Sequence, residues 1–296
     1  MRKRFAKRCK DVTSMAQISV DIKPNRSVSD VYINQKLDVT ELMKYLDKKK
    51  KKENKDEHIT FFHAVVTAVG KVFYNRPYLN RFVQNRHFYE HKNVSISFVA
   101  KVAFDDKAEE IMIIINVDEN DNIKSISKKI YDKVNGIRSK SDKVEKKGAN
   151  GILDVLAKLP NIIRIPIVGL LKWMDKKGVL PSSIEEDNLY YSSIILSNLG
   201  SLHSNAIFHN ITDFGNASGL ATIGEVRDEE IIINGKKEIR KMCEFGINLD
   251  ERIADGYYFI KSVQLLQYIF NHPELLEGAA NEKIECKWWK TMVKVL

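Results

Sequence analysis

Residues 59–74, ITFFHAVVTAVGKVFY, constrain the fold more than any other stretch of the chain. Apolar side chains cover so much of this segment that it reads as a buried helix rather than a surface one, which would keep a broad polar face. It is expected to end near the Arg76-Pro77 step, because proline pushes the residue before it out of the α region. His63 lies inside the segment, and a hydrogen-bonded core histidine is its expected role.

The sheet that such a helix needs is legible on both sides of it. Val31, Ile33 and Leu37, with Gln35 between them, alternate with polar residues as in a strand. Asp38 or Thr40 can cap a following helix that carries Leu42, Met43 and Leu46 on one face, and the lysine run at 48–52 complements its dipole. VSISFVAKVAF (94–104) and EIMIIINV (110–117) read as strands joined by DDKA. An amphipathic helix over 122–147 carries Ile126, Ile130 and Val134 at helical spacing. Further strands are expected at 190–198, 219–226, 230–238 with an Asn-Gly hairpin turn, and 243–251. The helix GYYFIKSVQLLQYIFN and the phrase HPELL follow. This order predicts an α/β or α+β domain with a mostly antiparallel or mixed sheet, and the length of 296 residues suits a single domain over 1–296.

Residues 148–188 stand apart as an apolar insertion. Within 151–183, Pro160, Pro166 and Pro181 together with Lys158 and Arg164 break the apolar run too often for a membrane-spanning helix. Two short helices separated by a PNIIRIP elbow are predicted. Such an element can cover a pocket, pack on a neighbouring subunit or dip into a membrane interface, and packing is the favoured reading.

Cys9, Cys243 and Cys286 are widely spaced, with no CxxC pair and no histidine at ligand spacing, so neither a disulfide framework nor a metal site is expected. The basic N-terminus lacks an apolar h-region, which makes the cytoplasm the expected location. The net charge of +9 suits an anionic partner: nucleic acid, an anionic membrane surface, or a small molecule such as a CoA thioester. The absence of an RNP motif, a helix-turn-helix signature or a zinc finger argues against nucleic acid. Neither GxGxxG nor GxxxxGK[ST] occurs.

Five phrases in order resemble the catalytic domain of the dihydrolipoyl acyltransferases of 2-oxoacid dehydrogenase complexes and, more distantly, chloramphenicol acetyltransferase. They are MRKRFA (1–6), FFHAVVTAVGKVFYNRPYLN (61–80), SNLGS (197–201), DERIADG (250–256) and NHPELL (271–276). The first is similar to the family's RKxxA, the third to its SNLG and the fourth to its DHRxxDG. The resemblance spans nearly the whole chain and is weakest over 148–188. It implies a chloramphenicol acetyltransferase-like α/β fold, an α+β two-layer sandwich with a mixed sheet packed by helices, and a homotrimer with active sites at subunit interfaces, where an acyl-CoA meets a thiol or hydroxyl acceptor. In that family the motif histidine is the general base and the SNLG serine hydrogen-bonds the oxyanion. Ser197 matches the serine, with Asn198 and Gly200 completing its phrase. Asp255 matches the motif's last aspartate, Arg252 and Gly256 support the turn, and Arg2 is the implied partner of Asp255.

Two departures follow from the same comparison. The chain starts directly at the catalytic-domain phrase, without a lipoyl domain, an Ala-Pro-rich linker or a subunit-binding domain, so a lipoyl acceptor is expected from another protein. Glu251 stands where the family has histidine. A carboxylate of ordinary pKa about 4.3 facing a thiol near 8.5 is about two units further from the match than imidazole, which costs roughly 3 kcal/mol of proton-transfer driving force. Burial can recover much of this, and a relocated base, His203 or His209 in SLHSNAIFHN, is the other route. The expected function is therefore a CoA-dependent acyltransferase of unknown acceptor. The alternative is a non-catalytic trimeric binding or scaffold protein of the same fold.

Overall fold

The computed structural model describes residues 6–51, 58–101, 110–138, 155–186 and 188–285. Nine strands run in chain order among them: β1 Ala6–Arg8, β2 Asp30–Asp38, β3 Arg81–Gln84, β4 His87–His91, β5 Val94–Lys101, β6 Glu110–Val117, β7 Ile194–Asn198, β8 Gly219–Ile233 and β9 Lys236–Asp250. The helices used below are α1 Ser14–Ile22, α2 Thr40–Lys50, α3 Phe61–Asn75, α4 Ile123–Arg138, α5 Asn161–Lys177, α6 Ser182–Glu185 and α7 Gly256–Asn271. Six strands form a mixed sheet in the order β2-β9-β8-β7-β5-β6, and a small sheet has the order β1-β4-β3. In the large sheet β7 runs parallel to both β5 and β8, and the other pairs are antiparallel.

Side chains alternate across a strand, and the larger apolar set of the six-stranded sheet faces one side, the inner face, while Ile195 and Leu220 join Leu189, Ile211 and Ala217 in a small cluster on the other. On that inner face Ile96, Ile115, Leu196, Ile223 and Phe245 join Leu42, Val65, Val69, Ile126, Phe259, Leu266 and Phe270 of α2, α3, α4 and α7 in one core. The predicted buried helix is α3, whose ten residues from Ala64 to Phe73 are all buried. Gly70 lets it lie close to the sheet, since a Cβ there would come within 2.9 Å of the Val117 side chain. His63 closes a capping box with Thr60 at the start of α3, and burial lowers its pKa to about 4.

Several boundaries differ from the sequence reading. The segments expected at 219–226, 230–238 and 243–251 are two long strands, β8 and β9, joined at Asn234 and Gly235, whose φ values of 50° and 78° make the predicted hairpin turn. Backbone pairing carries the distal ladder where its apolar pattern fades, with exposed charged pairs such as Lys241 and Asp228 lying across it. The strand expected from 190 begins at Ile194, because residues 189–191 form a 3-10 turn capped by Asn188. The expected continuations to Phe104 and Lys147 lie outside the described residues.

The predicted break between two helices falls at the first residue of PNIIRIP and not across it: residues 155–157 are helical, the chain turns at 158–160, and the second helix starts at Asn161. α5 runs unbroken through Pro166, and Pro160 caps its start. Pro166 lies early in the helix, and both ends are well defined: Gly178 closes the C-terminus in the left-handed region at φ 70°, donating its N–H to Asp175, while Val179 donates to Met174. Among the described residues no helix is long and apolar enough to cross a membrane.

Candidate active site

Strand β7 carries SNLG to the end of the sheet. Ser197 lies opposite Thr222 of β8, which lies opposite Gly246 of β9, so the three share the outer face. Asn198 Oδ1 accepts the Gly200 N–H at 3.2 Å, and its carbonyl accepts from Ser201 Oγ at 3.3 Å. These bonds turn the chain off the strand, and the half-buried Ser197 hydroxyl takes no part in them. Gly200 is required by close approach, because a Cβ there would sit 2.7 Å from the Gly224 carbonyl.

The other phrase forms the turn between β9 and α7. Asp250 and Arg252 are buried and make a bidentate pair: Arg252 Nε donates to Oδ1 at 2.8 Å and Nη2 to Oδ2 at 2.7 Å. With both partners desolvated, deleting one would cost about 3–5 kcal/mol. This lock leaves the residue between them outside. Glu251 donates its backbone N–H to the Ser29 carbonyl at 2.9 Å, and its carboxylate pairs with Lys23. Its side chain is 43% exposed. Asp255 caps α7 by accepting the Tyr258 N–H at 2.8 Å. Space is open around the Gly256 Cα, so no contact within one copy explains that glycine. Arg2 lies outside the described residues.

Register shows what one copy does not bring together. Ser197 is level with Gly246, five residues short of Glu251 and two strands away. At about 3.3 Å per residue and 4.8 Å per strand, the two Cα atoms are about 20 Å apart.

The candidate histidines lie on a strap that crosses the outer face. His203 adopts φ 54° and sets its Nδ1 2.5 Å from Glu225 Oε1, with its side chain 84% exposed. Its imidazole and Arg227 hold the Glu225 carboxyl below its usual range. His209 places Nδ1 2.9 Å from the Asn210 carbonyl, while its own carbonyl accepts from Asn248 Nδ2 at 3.1 Å. Between them Ile207 donates to Thr222 Oγ1 at 3.1 Å. The strap can lie this close because Gly246 has no side chain: a Cβ there would be 2.4 Å from the Ile207 carbonyl.

One group near Glu251 was missed by the sequence reading. Asp30 lies opposite Asp250 on β2, and its carboxyl is pushed up by burial and by the Asp250 charge, against hydrogen bonds from Asn248 and Tyr32 that pull it down. The single Tyr32 hydroxyl proton is shared between Asp30 Oδ2 at 3.3 Å and the nearer Asn210 Oδ1 at 2.8 Å. The apolar members of β2 drew attention to its inner face. The signal available was the intervening series Asp30, Tyr32, Asn34 and Lys36, polar or aromatic at each position of the other face. Among the described residues no three His, Cys, Asp or Glu side chains are placed to hold a metal ion.

Residues 15–148 match the family model described as 2-oxoacid dehydrogenases acyltransferase (catalytic domain). SNLGS and DERIADG lie outside that span. No curated protein matches the sequence. Among solved structures, the chain is similar to a probable dihydrolipoamide acetyltransferase from Listeria monocytogenes at 16% identity, with a TM-score of 0.58 over 90% of this chain and 95% of that one. It is similar to the dihydrolipoamide acetyltransferase of Azotobacter vinelandii at 13% identity, with a TM-score of 0.57 over 90% and 93%. Chloramphenicol acetyltransferase matches at 10% identity with a TM-score of 0.51 over 92% and 100%. Over nearly its whole length the chain therefore has the fold shared by these acyltransferase cores and chloramphenicol acetyltransferase, and over residues 15–148 its sequence matches the model of the 2-oxoacid dehydrogenase acyltransferase catalytic domain.

Proposed function

We propose that the chain is a CoA-dependent acyltransferase that works as a homotrimer with its active sites between copies. The observation that carries this reading is the pair of preserved elements at opposite ends of one sheet face: the Ser197 hydroxyl free of the SNLG turn, and Glu251 held outward by the buried Asp250–Arg252 pair. They are too far apart to act within one copy, so Ser197 of one subunit would serve Glu251 of the next. In the Azotobacter enzyme a serine, a histidine and an asparagine have roles in the catalytic mechanism, the last two four positions apart. Glu251 and Asp255 keep that spacing here.

In the reaction, Glu251 takes the proton of the acceptor thiol or hydroxyl as its sulfur or oxygen attacks the thioester carbonyl. Ser197 donates a hydrogen bond to the resulting oxyanion. The C–S bond to CoA then breaks, and the departing thiolate takes the proton back. The net charge of +9 suits an anionic donor of this kind. The acceptor would be a lipoyl group on another protein or a different thiol or hydroxyl, and His203 or His209 would serve as base only after release from its present partner.

A second reading is favoured by the setting of Glu251. The carboxylate is open to solvent and engaged by Lys23, not enclosed in a dry pocket. That supports a non-catalytic trimer that binds CoA-like ligands or a protein partner. Assay of the purified protein with acetyl-CoA and dihydrolipoamide separates the two readings. An active enzyme should lose about 10²–10³ in kcat on Ser197→Ala. It should lose about 10²–10⁴ on Glu251→Gln, and Glu251→His should raise the rate. Absence of turnover together with retained CoA binding would establish the second reading, and loss on Asp30→Asn but not Glu251→Gln would move the base to Asp30.

A further inference from the structure

The apolar insertion becomes α5, and its amphipathicity is turned inside out. At 100° per residue, Arg164, Ile167, Leu171, Met174 and Asp175 fall on the side facing the body. Asp175 fastens that side: Oδ1 accepts from Tyr191 Oη at 2.6 Å, Oδ2 accepts the Gly215 N–H at 3.0 Å, and its carbonyl accepts from Gln84 Nε2 at 2.6 Å. The opposite side carries Ile162, Ile165, Pro166, Gly169, Leu170 and Trp173, an i, i+3, i+4, i+7, i+8, i+11 stripe of the kind that ordinarily faces a core. Here it faces solvent, with Ile162 83%, Ile165 65% and Trp173 55% exposed.

The charge around this stripe indicates what covers it. The last turns carry Lys172, Lys176 and Lys177, all exposed, and none has an acidic partner among the described residues. The only acid in the helix is the inward Asp175. These lysines border a cavity of about 710 Å³ whose other charged groups are already engaged within the chain: Arg26 by backbone carbonyls, Arg86 by Asp21, Arg252 by Asp250, Asp175 by Tyr191 and Asp213 by Ser27. An apolar stripe with a tryptophan and a one-signed cationic collar fits an anionic bilayer surface. A second copy of this chain would set the collar against its own charge, in a molecule of net charge +9.

We propose that α5 docks on an anionic membrane surface, lying in its plane with Ile162, Ile165, Leu170 and Trp173 among the acyl chains and Lys172, Lys176 and Lys177 at the headgroups. The helix is about 25 Å long and would lie flat, not span. The docking is independent of whether the sheet carries out acyl transfer.

Flotation of the full chain with vesicles of phosphatidylcholine alone, and of phosphatidylcholine with phosphatidylglycerol, tests this. The protein should float with the anionic vesicles at low salt, much less at high salt, and stay behind with phosphatidylcholine. The double variant I165D/W173A should weaken partition about tenfold or more, and K172E/K176E/K177E about a hundredfold. All five positions are exposed, so unchanged thermal midpoints would place these losses at the surface. Failure to float with anionic vesicles, or partition indifferent to both sets of substitutions, would overturn the proposal. So would an I165D/W173A variant that changed only the number of copies in the particle by light scattering.

Discussion

The two faces of the six-stranded sheet obey different rules. The inner face is continuous apolar packing under α2, α3, α4 and α7, where every side chain is held by many neighbours. The outer face presents Ser197, Thr222, Asn248, Tyr32 and the Asp250–Arg252 lock, crossed by a strap whose course depends on two glycines in the strands beneath it, Gly224 and Gly246. One face supplies stability that is tolerant of detail. The other supplies polar groups whose positions depend on single atoms.

Substitutions that break this contrast can be ranked by their effect on stability. Phe245→Ala on the inner face should cost about 3–5 kcal/mol in chemical denaturation, because Phe245 is 1% exposed and packs on Phe270 with ring centroids 6.0 Å apart. Phe245→Leu, which leaves a smaller cavity than alanine, should lose less.

His63 tests the inner layer through pH. The unfolded imidazole takes up its proton near 6.5 and the folded one only near 4. Between these values the unfolded chain binds more protons, so stability falls as pH drops through that window, by about 3 kcal/mol in all. His63→Gln should flatten the dependence of Tm on pH between 6.5 and 4. An unchanged slope would assign the acid sensitivity to other groups.

On the outer face Gly246→Ala should cost about 1–3 kcal/mol, since the added methyl meets the Ile207 carbonyl and Thr222 Oγ1. Hydrogen exchange should locate the loss in residues 203–210 and not in α3. Ser197→Ala sharpens the contrast most: stability should move by less than about 0.5 kcal/mol, while kcat for acyl transfer should fall by about 10²–10³. A Ser197→Ala protein that unfolded early would make the serine a structural residue.

Much of the inner face was legible in one dimension. α3, the alternation of β2 and β5, the Asn-Gly turn and the closing helix follow from periodicity and local turn chemistry, which need only neighbours in the chain. The phrases SNLGS and DERIADG could also be picked out, but through their resemblance to a family's motifs; the reason for Gly200, its approach to the Gly224 carbonyl, lies on another strand. What stayed hidden was long-range. Pro166 could be accommodated inside α5, where sequence alone suggested a break. Nothing in the sequence around Asp30 announced that β2 would place it opposite Asp250.

The sequence by itself determined the layer order, the burial of α3 and the residue types at the two ends of the candidate site, because hydrophobic periodicity and turn preferences act over a few residues. Tertiary structure alone decided that Ser197 and Glu251 lie about 20 Å apart in one copy, that Lys23 engages the glutamate, and that the apolar stripe of α5 points outward. These depend on strand register and on which face of each element meets the body, and both are set by contacts between residues far apart in the chain.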